Sequence, residues 1–241
     1  IAKERNISLT DLESFKQMLL TAYGSLPNNI QILGIDTNVS PDRLHNSDPL
    51  INSSEYFFMG GNLESYVKNI ARDNDYHSYT SWFDHNYFRS HPNKNSLLNI
   101  FNGSGMYRQL SRLALFYQME SRILVKIILD KLQAIPGDNI RVVITTSLAG
   151  GTGSGIFIDI AHIVRILARD IGKRVDIIAM VVLPEAFSST PTIIVDHAMQ
   201  ARSMAALREL SRFNSFTQTK IRMRYSGIRG SNILDTYTIG Q

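Results

Sequence analysis

The sequence predicts an α/β fold, a mostly parallel sheet flanked by helices, and three observations predict it. Apolar strand-like runs alternate with amphipathic stretches, the order left by strands joined through crossover helices. The run "IQILGID" (30–36) ends at polar Asp-Thr-Asn, the pattern of a buried parallel strand. A second strand passes straight into a helix through "GGTGSG", four glycines in six residues at 150–155.

The elements follow in order. Leu12, Phe15, Leu19 and Ala22 make a helical stripe, with Thr10 and Glu13 as a capping box and Gly24 and Pro27 closing it. The strand at 30–36 comes next. From 41 to about 95 the chain is polar and aromatic-rich, with a short helix near "NLESYVKNIARD", and reads as an insertion. "NGSG" (102–105) opens one long helical stretch over about 106–134, its inward stripe carried by Leu110, Leu113, Tyr117, Leu124, Ile128 and Leu132. Then "NIRVVITTSL" is a strand, "SGIFIDIAHIVRILARDIG" a helix and "RVDIIAMVVLPE" a strand. "DHAMQARSMAALRELSRF" is a helix and "SNILDTYTIG" a last strand. The chain opens at Ile1 and stops just past that strand, and it reads as part of a longer protein.

Composition narrows the class. At 241 residues, with 44% hydrophobic and 19% charged residues, the chain is long enough to bury a sizeable core. It has no cysteine, so disulfides and thiolate metal sites are excluded, and a cytoplasmic protein fits best. No apolar run approaches the roughly 20 residues that span a bilayer. A net charge of +4 suits an anionic ligand without calling for nucleic acid.

The glycine run carries the chemistry. Glycines let backbone approach a ligand closely, and the run meets a helix start, where free N–H groups and the helix dipole favour an anion. Thr152 and Ser154 add hydroxyl donors, so 149–155 has the makings of a phosphate cradle. A Walker loop would need Gly-Lys-Ser/Thr, but Ile156 and Phe157 follow Gly155. A dinucleotide fingerprint fails as well, since its third glycine would fall on Ile156 or Ile158. On this reading Gly153→Val abolishes ligand binding and leaves the fold intact, because a β-branched residue cannot take a positive φ.

"GGTGSG" after Ala149, with a strand before and a helix behind, resembles the signature of the tubulin/FtsZ superfamily. That resemblance implies a Rossmann-type nucleotide-binding domain for GTP or GDP with Mg²⁺. Its phosphate loop is Ala149, Gly150, Gly151, Thr152, Gly153, Ser154 and Gly155. Asp36, Thr37 and Asn38 then lie near the phosphates, with Asp36 the candidate metal ligand. Asn102, Gly103, Ser104 and Gly105 match the loop that senses the γ-phosphate, and Arg108 and Arg112 follow it one helical turn apart. Glu185 and Asp196 are alternative acceptors for the ribose hydroxyls, and Gln241 stands where the family reads guanine with an Asn. The patterns at 108–116 ("RQLSRLALF") and 205–210 ("AALREL") look most like divergent bacterial tubulin-like proteins.

The resemblance also implies that residues 1–241 are a partial GTP-binding domain with an insertion at about 41–95. The family's first strand lies before Ile1, and its central helix, acidic loop and C-terminal domain lie after Gln241. A head-to-tail polymer with a GTPase site completed by the neighbouring subunit is implied, and no catalytic residue falls within this chain. The alternative is a non-catalytic tubulin-like scaffold that acts on a protein partner through 41–95. Two other features read as structural. His77, His85 and His91 have spacings that match no compact metal motif. Asp159, His162, Arg165 and Arg169 form a polar stripe expected to face solvent.

Overall fold

A computed structural model describes residues 29–39, 53–70, 82–188, 195–215, 221–223 and 235–237. The stripe at 10–24 and Gln241 lie outside the described residues.

Among the described residues, two parallel pairs and one antiparallel pair make up the strands. β1 (Gly34–Asp36) pairs with β2 (Tyr56–Phe58), Gly34 opposite Tyr56. Helices α1 (Glu64–Ile70), α2 (His85–Ser90) and α3 (Lys94–Leu97) follow. The stretch predicted as one helix over 106–134 is two, α4 (Arg108–Glu120) and α5 (Ile123–Ala134). Between them Arg122 sits at φ +60°, and Ser121 Oγ accepts the Ile123 amide at 3.3 Å, starting the new helix. Leu124, Val125, Ile128 and Leu132 lie in the core after the break, as Leu110 and Leu113 do before it. Apolar periodicity reports a face and is blind to a one-residue change of axis.

β3 (Asn139–Ser147) and β4 (Arg174–Val182) pair in parallel along nine residues, Asn139 opposite Arg174 and Ser147 opposite Val182. The crossover between them is α6 (Gly151–Asp170). α7 (His197–Ser215) and the antiparallel pair β5 (Ile221–Met223) and β6 (Asp235–Tyr237) complete the described chain. Ile140, Val142 and Ile144 of β3 and Val175 and Ile177 of β4 turn toward α6, and α4 and α5 pack on α6 in turn. The other face of this pair is open: Val143 and Met180 are 51% and 57% exposed.

α6 corrects the expectation about apolar runs. It is long and apolar enough to cross a membrane by length and composition alone, yet 61% of its apolar window is buried within the fold. A core helix has the same composition. Half of its polar stripe is buried too: Arg165 and Arg169 face solvent as expected, but Asp159 and His162 do not. Asp159 is held by Arg112 in a two-bond fork, Nε–Oδ2 and Nη2–Oδ1 both 2.8 Å, while the guanidinium lies 4.6 Å from the Trp82 ring centroid. His162 packs against Phe213 of α7, ring centroids 5.6 Å apart, and burial holds its pKa below the usual imidazole value.

The described parts of 41–95 build into the same core. Phe57, Met59, Leu63, Val67, Phe83 and Phe88 join the cluster around Leu113 and Met119. Phe83 stacks on Phe88 at 5.1 Å, and Trp82 lies against Phe116 of α4 at 5.3 Å. His85 bonds the Val67 carbonyl at 3.1 Å, and His91 Nδ1 accepts the Asn93 amide. Between β1 and β3 runs a cavity of about 260 Å³, with Leu33 and Ile35 on one side and Val142 and Ile144 on the other.

Candidate functional site

Three segments far apart in sequence meet at the N-terminus of α6. β1 delivers Asp36, Thr37 and Asn38. Asp36 Oδ1 accepts the Thr37 amide at 2.6 Å, a tight local turn that closes the strand. Thr37 is fully buried, and its hydroxyl lies 2.7 Å from that of Thr152 in the first turn of α6. The same residue's carbonyl accepts the Gly103 amide at 3.2 Å, Asn38 bridges Asn102, and Val39 donates to the Phe101 carbonyl at 3.1 Å. The segment at 36–39 is thus sewn to 101–103 on one side and to α6 on the other.

The second segment is a loop in unusual backbone. Gly103 and Gly105 take φ of +96° and +58°, the left-handed region that costs an L side chain energy. Met106 follows at +65°, so the loop coils tightly before α4 begins. Ser104 between them is buried.

The third is the glycine run, and here the structure corrects the sequence reading. Gly150 is the N-cap of α6, in extended backbone, and the helix begins at Gly151. Among the described residues none of these glycines has a positive φ. They are small because of what touches them. A Cβ on Gly151 would lie 2.4 Å from Ser104 Oγ and 2.8 Å from the Met106 carbonyl carbon. One on Gly153 would fall 1.8 Å from Thr146 Oγ1, and one on Gly155 2.5 Å from the Arg108 carbonyl oxygen. Only Gly150 faces open space. Gly153→Val therefore strikes the fold itself. Gly150 brings no capping side chain to the start of this 20-residue helix, where the first amides have no intrahelical acceptor.

The sequence profile of the family described as "Tubulin like" matches residues 11–238. The chain belongs to the tubulin-like family. No curated protein and no solved structure matches it significantly.

In this tubulin-like chain the remaining candidates fare differently. Glu185 lies exposed in a 3-10 turn (Pro184–Phe187) directly after β4. Asp196 caps α7 instead of waiting for a ligand: its Oδ1 accepts the Met199 amide at 2.7 Å. Arg112 is committed to Asp159. Arg108 is taken up by Glu209 of α7 and by the Ser154 carbonyl within the glycine run itself. Among the described residues, no group of three or more His, Asp or Glu is placed to hold a metal. Asp36 is the candidate carboxylate at the end of β1, bonded to Thr37, whose hydroxyl in turn meets that of Thr152.

Sequence reasoning missed the residues that bind these segments together. Ser203 of α7 donates to the Leu148 carbonyl at 2.8 Å, and Arg202 reaches Met106 Sδ at 3.2 Å. Arg108 and Glu209 fall within the two family-like patterns at 108–116 and 205–210. That was the one available signal, and it carries no hint that the two patterns meet.

Proposed function

We propose that this chain is the nucleotide-binding portion of a tubulin-like GTPase that self-assembles head to tail into filaments, in a bacterial cytoplasm. One observation carries the reading: the 36–38, 102–105 and 149–155 segments converge at an uncapped helix N-terminus. Backbone amides there can take the α- and β-phosphates. The left-handed loop at 103–105 is adjacent and can meet a γ-phosphate. One carboxylate together with phosphate oxygens is an ordinary Mg²⁺ set, and Asp36 would supply the carboxylate. Bound Mg²⁺ would neutralise phosphate charge. The chain's own residues orient the nucleotide, as protein groups do in other phosphoryl transfers. Glu185 serves the ribose on this reading and Gln241 the base.

Hydrolysis on this reading needs an acidic loop from the next subunit, and the isolated 241 residues turn over no faster than background. The deciding experiment is to identify nucleotide released from gently purified protein and to titrate GTP, GDP and ATP with Mg²⁺. Guanine nucleotide bound in preference to ATP supports the reading. Absence of any nucleotide, in the preparation and on titration, overturns it.

A second reading has its own support. Protein atoms alone account for Gly151, Gly153 and Gly155, so the signature does not require a ligand. A non-catalytic tubulin-like scaffold, with a protein partner met through 41–95, would keep the same glycines and fail the nucleotide titration.

A further inference from the structure

Arg108 is the first residue of α4, just after the left-handed loop, and each nitrogen of its guanidinium donates a bond. Nε and Nη2 donate to the Ser154 carbonyl at 3.1 and 3.0 Å. Nη1 and Nη2 donate to the two Glu209 carboxylate oxygens at 3.1 and 2.5 Å. The Arg108 side chain is 16% exposed and that of Glu209 50%. The backbone at Arg108 is equally tied, for its carbonyl lies where Gly155 lacks a Cβ. α7 grips the same loop a second time through Arg202 and Met106 Sδ. Arg202, Ser203 and Glu209 place three contacts along one side of α7, one to the loop, one to the end of β3 at Leu148 and one to Arg108.

We propose that Arg108 is a positioning residue: held by Glu209, it sets the 102–106 loop against the first turn of α6, and α7 is the arm that keeps it there. The inference rests on the nucleotide reading above and adds a residue that touches no ligand. A planar guanidinium can serve a helix carbonyl and a carboxylate at once. A lysine ammonium cannot hold both with the same geometry. Losing the fork lets the loop drift from α6 while the α6 amides stay where they are. A triphosphate, which needs both, then suffers more than a diphosphate, which needs only α6.

The test uses the full-length protein and Arg108→Lys, with Glu209→Gln as the milder second variant should the first fail to fold. Affinities for a non-hydrolysable GTP analogue and for GDP are measured with Mg²⁺, together with amide hydrogen exchange across 102–106. The expected result is a GTP-analogue-to-GDP affinity ratio lowered about tenfold, as a small misplacement of binding groups produces, with faster exchange in 102–106. Equal loss for both nucleotides, or no change in the ratio, overturns the proposal. If the parent binds neither nucleotide, the nucleotide reading fails, and exchange alone decides the clamp. Faster exchange at 102–106 in the variant then upholds it, and unchanged exchange overturns it.

Discussion

Gly153→Ala is a one-methyl perturbation whose effect can be worked from contacts. The added Cβ falls 1.8 Å from Thr146 Oγ1 and 3.2 Å from both Thr146 Cβ and the Ser147 carbonyl oxygen. Rotating Thr146 removes the first clash and leaves the other two, so α6 must shift away from the end of β3. Overpacking of this kind costs about 1–3 kcal/mol. Helix propensity returns up to about 1 kcal/mol, because alanine replaces glycine inside the first turn. The net is a loss centred on about 1 kcal/mol, or a Tm lower by about 2–4 °C for a chain of this size. Thr146→Ala in the Gly153→Ala background should recover part of the loss, since the two side chains compete for one space. Gly150→Ser is the opposite case. Gly150 has φ −84° and ψ 165° with nothing near its missing Cβ, and serine is a better N-cap. It should gain only about a few tenths of a kcal/mol while its hydroxyl fills the space proposed for phosphate. Scanning calorimetry with and without Mg-GTP reads both effects. An unchanged Tm for Gly153→Ala would refute the contact argument. Undiminished stabilisation of Gly150→Ser by Mg-GTP would refute the placement of the phosphates.

Three other outcomes are expected. Arg112→Met strands the buried Asp159 carboxylate and should cost about 3 kcal/mol in denaturant unfolding, whereas Arg112→Met with Asp159→Leu recovers most of it. His162 has its pKa lowered by burial from 6.5, so the unfolded chain binds the proton more readily. Stability is then full above about pH 6.5 and falls below it, by at most about 1.4 kcal/mol per pH unit, until the folded imidazole also protonates. His162→Phe should flatten that part of the pH–stability curve, and an unchanged slope would show that another group sets it. GTP turnover per subunit of the full-length protein should rise with protein concentration. Turnover by residues 1–241 alone that is independent of concentration would place the catalytic acid inside this chain.

Most of the strand–helix order was legible because each element carries its own period. β3, α6, β4 and α7 announce themselves in runs of nine or more residues. The break at Arg122 was not legible, since both helices keep apolar residues at helical spacing on either side of it. The site was legible as three separate glycine- or Asx-rich junctions, each a local event. What the sequence hid was their stitching. The hydroxyl pair Thr37–Thr152 and the pair Arg108–Glu209 join residues more than a hundred positions apart, and such contacts leave no periodic trace in one sequence. Asp159 and His162 were misread for a related reason. A charged stripe at helical spacing looks solvent-facing until an Arg112 from another helix covers it.

The seam beneath the glycine signature has a consequence for descent. Gly151, Gly153 and Gly155 are held in place by Ser104, Thr146 and Arg108, which are parts of the chain itself. A lineage that gave up its ligand would still be selected to keep those three, because losing them opens the junction between α6, β3 and α4. Gly150 has no such neighbour and would be free to drift. Along a family tree, substitution at Gly150 with its three companions retained would then mark the branches where the pocket fell out of use, well before the motif as a whole decayed.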